Sequence, residues 1–96
     1  MKHAYLLVYS DNVGTRDQVR DVLDSMPSVT TWRYDIPHSF YVISEYSAEV
    51  LSDEFVTRKG SEGRFMFARL ADDRYGMMLP ETWYLLGHKH HKPKDD

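Results

Sequence analysis

The chain has 96 residues, 42% hydrophobic and 14% aromatic, with a net charge of −3 from 12 Lys and Arg against 15 Asp and Glu. That length holds one domain around one core, and the acidic balance argues against avid nonspecific duplex binding, which draws its affinity from neutralised phosphates. With no cysteine there is no disulfide, zinc–thiolate site or thiol nucleophile, and no stretch approaches the ~20 apolar residues of a membrane helix, so a cytoplasmic protein with no membrane partner is expected.

Ala4–Tyr9, AYLLVY, is a nearly continuous apolar run that reads as a central strand covered on both faces. Ser10-Asp11-Asn12 and Gly14 follow as turn and cap residues. Thr15–Met26 reads as a helix: Val19, Val22, Leu23 and Met26 form one apolar stripe, and Thr15 with Gln18 fits a capping box. Thr30–Asp35 and Ser39–Glu45 read as two strands joined through Ile36-Pro37-His38. Period-two alternation sets Trp32 and Tyr34 opposite Arg33 and Asp35, and Phe40 and Val42 opposite Tyr41 and Ile43.

Ser47–Lys59 reads as a second helix, with Ser47 as N-cap, Gly60 as its stop, and Ala48, Leu51 and Phe55 on one face. Arg64–Leu70 supplies a fourth strand. The order β-α-β-β-α-β predicts a ferredoxin-like α+β domain, a four-stranded antiparallel sheet with both helices on one face. This single domain covers residues 1–87, and residues 88–96 form a polar, flexible tail. Pro80 suits a first helical position, so a short C-terminal helix is expected, with Leu79, Trp83 and Leu86 on one face. It would pack on the open side of the sheet or on a partner subunit.

YLLVYSDN, WRYDIPHSFYVISEYSAEVL and RYGMMLPETWYLL together resemble the SinR-like family of small bacterial and phage proteins of ferredoxin-like fold. The likeness spans about residues 4–87 and rests on Tyr9-Ser10-Asp11, Trp32-Arg33-Tyr34, Ser39-Phe40 and a closing Leu79-Pro80-Glu81-Thr82-Trp83 that is one residue shorter than the family pattern. That family is in turn similar to the small nuclease-like subunit of CRISPR adaptation complexes. The resemblance implies a homodimer formed through open sheet faces and C-terminal segments, with Trp32, Tyr34, Leu79, Trp83 and Leu86 at the interface. It also implies an acidic residue at the end of the first strand, binding a divalent metal at the dimer axis. The matching position is Ser10, with Asp11 one residue later, and a one-residue offset turns a side chain to the other side of a strand.

Asp11 is therefore the candidate catalytic and metal-binding residue, since Mg²⁺ or Mn²⁺ takes carboxylate oxygens and a two-fold axis would bring two copies together. Against this stands the simpler role of Ser10-Asp11-Asn12 as a turn and cap. Asp72-Asp73 allows the same pair of readings, with the loop favoured. Arg33, Arg64 and Arg69 are candidate phosphate contacts, or partners of Asp35 and Glu45 across strands. An aromatic sheet can also stack bases, but the C-terminal segment competes for that surface. His88, His90 and His91 would bind metals only adventitiously. Three functions follow: a non-catalytic dimeric module of a nucleic-acid-associated process, a divalent-metal-dependent endonuclease using Asp11, or a protein-interaction factor of inhibitor or antitoxin type.

Overall fold

A computed structural model describes residues 1–93. Its strands are β1 (His3–Tyr9), β2 (Thr31–Arg33), β3 (Ser39–Ser44) and β4 (Phe65–Arg69), and its helices are α1 (Arg16–Ser25), α2 (Ala48–Lys59) and α3 (Pro80–His88). The sheet order is β2-β3-β1-β4 with every neighbouring pair antiparallel. β1 and β2 are thus parallel to each other, as are β3 and β4, and each helix crosses between a parallel pair with one strand left in the gap. This is the expected ferredoxin-like arrangement.

Local signals set the element ends. Thr15 Oγ1 accepts from Gln18 N at 3.2 Å, and Gln18 Oε1 accepts from Thr15 N at 2.9 Å, completing the capping box of α1. Ser47 Oγ accepts from Val50 N at 3.2 Å to cap α2, which ends at Gly60 with φ +94°. β2 is shorter than its strand-forming residues suggest, because Asp35 leaves the ladder to bond elsewhere. The connection to β3 turns through His38 at φ +61°, a left-handed conformation that histidine tolerates better than most side chains.

Each face of the sheet carries its own core. On one, Tyr5, Leu7, Tyr9, Phe40, Val42 and Phe67 are buried with Val19 and Leu23 of α1 and Leu51 and Phe55 of α2. On the other, Ala4, Tyr41 and Ile43 are buried with Leu85 and Leu86 of α3. The alternation expected of β3 holds, and its six residues are buried throughout. The C-terminal helix lies on the chain's own sheet and runs one residue past the expected domain end, with Lys89 as its left-handed C-cap. Lys94, Asp95 and Asp96 of the polar tail lie outside the described residues. Among the described residues, no helix is long and apolar enough to cross a membrane.

Candidate functional site

α3 is held by a polar clasp. One carboxylate oxygen of Asp35 accepts from Leu79 N at 3.1 Å and from Thr82 Oγ1 at 2.8 Å, and Arg33 Nε donates to Thr82 Oγ1 at 2.8 Å. Thr82 is fully buried. The acidic side chain therefore supplies the cap that Leu79, the N-cap residue, cannot. The direction of Arg33 and Asp35, set by strand alternation, brings them to α3 while Trp32 and Tyr34 turn to the α1 face.

α3 covers only part of its side of the sheet. Leu6 of β1 packs at the border of the α3 core; beyond it Val8 pairs with Met66 of β4, and Met66 remains 56% exposed. A groove of about 340 Å³ runs beside this strip, walled by Leu6, Val8, Ile36, Tyr41, Leu70 and Trp83, with Arg74 and Tyr75 at its rim. Arg74, Tyr75, Gly76 and Met78 of the segment from Ala71 to Leu79 form that rim, and the segment's Tyr75 and Met77 side chains are fully exposed. Arg74 donates from Nη1 to Ala71 O at 2.7 Å and lies 3.8 Å from Asp72. Its Nε is buried and meets no acceptor among the described residues.

Tyr41 sits in the groove wall with its hydroxyl on Met78 Sδ at 3.7 Å, a weak acceptor. Burial, then the nearby Asp35 charge, raises its pKa above the usual value of 10.0. Burial also raises that of Tyr9, opposed by Arg16. A phenol with a raised folded pKa binds its proton more tightly folded than unfolded, so its contribution is complete below about pH 10 and is lost as pH rises through the folded pKa. Tyr41→Phe is expected to make the alkaline fall in stability shallower, measured by urea midpoints from pH 9 upward. An unchanged slope would remove Tyr41 as a contributor.

At the C-terminal end of β1, Asp11 is 91% exposed at its side chain and contacts the His38 imidazole. The Tyr9 ring lies 5.7 Å from that of His38, and Gly14, Thr15 and Arg16 border the same hollow. Among the described residues no third His, Asp or Glu joins this pair. Ser10, where the resemblance expects an acidic residue, has a structural task. Its Oγ accepts from Arg64 N at 2.9 Å and donates to Asn12 Oδ1 at 2.8 Å, tying the end of β1 to the start of β4.

The remaining candidates are scattered. Arg33 is at the β2 edge and engaged by Thr82, whereas Arg64 and Arg69 flank or end β4 at the opposite edge, so the three form no common phosphate track. Trp32 stacks on Tyr34 at 6.0 Å and donates to Asp24 at 2.6 Å, and Arg16 covers Tyr34 at 4.4 Å. Those two rings face α1, and Trp83 and Leu86 face the other way, with Leu86 buried in its own chain and Leu79 half exposed. The five residues expected at a subunit interface do not make one surface. Asp72 is a loop residue beside Arg74.

His88 stacks on Tyr84 at 4.0 Å, and His91 bonds Thr31 Oγ1 at 2.7 Å, so both have structural neighbours. The groove with Arg74, Tyr75 and Met78 escaped sequence reasoning. Its one local signal is two large apolar residues placed around Gly76, between Asp72-Asp73 and Pro80, where a solvated loop carries polar side chains. No family model, no curated protein and no solved structure matches the chain.

Proposed function

We propose that the chain is a non-catalytic homodimeric module acting in a nucleic-acid-associated process of phage, plasmid or defence type. The setting comes from the likeness to the SinR-like group. The dimer is supported by one observation: an apolar groove lies partly uncovered beside α3, with the exposed Tyr75 at its rim and the exposed Met77 close by in sequence, and apolar surface of this kind marks an interaction site. Base stacking on the sheet is disfavoured because Phe40 and Tyr41 are buried under helices on either face.

A second reading has its own support in the contact between Asp11 and His38. A carboxylate oxygen and an imidazole nitrogen are donors that Mn²⁺, and at the carboxylate Mg²⁺, would accept, and a two-fold axis near β1 would double them. That arrangement is the metal-dependent endonuclease. A protein-interaction factor of inhibitor or antitoxin type would use the same apolar surface on a different chain.

Two measurements separate the three. Sedimentation equilibrium is expected to give twice the 11.3 kDa chain mass; a monomer at micromolar concentration would sink the dimer and leave the interaction factor. Labelled single- and double-stranded DNA and RNA, incubated with Mg²⁺ or Mn²⁺, are expected to stay intact. Cleavage that disappears in Asp11→Ala would establish the endonuclease instead.

A further inference from the structure

We infer that the segment from Ala71 to Leu79 is a self-complementary docking element, which seats in the groove of a second copy of this chain while receiving that copy's segment in its own groove. The inference rests on the homodimer proposed above and assigns its contact to a surface other than the aromatic residues of β2.

The groove sets the chemistry of its occupant. Its walls are apolar, so it takes apolar side chains; its rim holds the Arg74 guanidinium, whose neighbouring carboxylate Asp72 is 3.8 Å away, so it also takes a carboxylate. The chain itself offers that combination. Tyr75 and Met77 are fully exposed, and Asp73 beside them is exposed and forms no ion pair among the described residues. Arg74's own neighbour Asp72 stands 3.8 Å away, too far for a hydrogen bond, so the guanidinium keeps donor capacity.

Groove rim and docking side chains belong to one short segment. A two-fold axis through it therefore places Tyr75 and Met77 of each copy over the groove of the other, with Asp73 of each reaching Arg74 of the other. This reciprocity is what an isologous contact requires. A stable interface covers roughly 800 Å² per partner. One exposed aromatic ring supplies about 150–250 Å², and Ile36 in the groove wall, Met66 on β4 and Met77 in the segment, each at least half exposed, add further apolar area.

Sedimentation velocity over a concentration series, with circular dichroism on every variant, tests the assignment. Tyr75→Ala is expected to weaken the dimer at least about tenfold, as central aromatic anchors do. Arg74→Asp and Asp73→Arg should each weaken it by about tenfold or more. Combined in one chain they restore the pair in reversed order, and the dimer should return to within about threefold of the unsubstituted protein. All these positions except Arg74 are exposed, so a fold defect in Arg74→Asp leaves Asp73→Arg and Tyr75→Ala as independent readouts. A dimer unmoved by all three single substitutions would overturn this contact and leave the homodimer standing. A monomer in the unsubstituted protein would overturn both.

Discussion

Phe40→Ala is expected to lower the unfolding free energy by about 3–5 kcal/mol, the range for deleting a buried aromatic ring. The ring has no exposed surface. It lies edge-on to Trp32 at 5.5 Å and to Tyr34 at 5.8 Å, and stacks against Tyr9 at 6.1 Å. Removing the ring from among these three aromatic neighbours adds a cavity to the lost transfer free energy. A small domain holds only about 5–15 kcal/mol in total, and the variant should unfold at a far lower urea concentration with an unchanged slope. A loss under about 1 kcal/mol would mean that the cluster repacks and does not fix the β2–β3 pairing.

Asp35→Ala is expected to cost about 1–3 kcal/mol, the penalty for stranding buried donors. Its particular signature is regional. Leu79 N and Thr82 Oγ1 lose their acceptor, and Thr82 is fully buried, so the start of α3 should fray. Amide exchange should speed up across α3 while Leu7 and Val42, in the core shared with α1 and α2, keep their protection. Asp35→Asn keeps one carbonyl acceptor and should lose less. Uniform loss of protection across both cores would show that α3 does not open separately.

The elements with strong local codes were legible. Thr15 and Gln18 announce the start of α1, Ser47 and Gly60 bound α2, Pro80 opens α3, and alternation in Ser39–Ser44 assigns each side chain to its face. What could not be read depends on groups distant in sequence. Asp35 leaves β2 for Leu79, 44 residues on, and Asp11 meets His38 across 27 residues. No periodicity encodes such pairs. The candidate arginines read as a set because each falls in a predicted strand; the sheet order puts Arg33 at one edge and Arg64 and Arg69 at the other. Likewise Trp32 and Trp83 are both aromatic residues beside the sheet, yet they stand on its two different faces.

An open four-stranded sheet has two borders whose backbone groups can recruit strands from other molecules, the first step toward fibrils. β2 and β4 are those borders. β2 is three residues long, and His91 returns from the C-terminus to bond Thr31 beside it, so little template is left there. β4 is the longer border, and Arg64 before it and Arg69 at its end are both exposed. Antiparallel addition of an identical border would bring guanidinium groups near one another, which opposes the pairing. Arg64 and Arg69 thus fit the role of gatekeepers, and replacing both with valine would leave a five-residue strand that carries exposed Met66 open to self-templating.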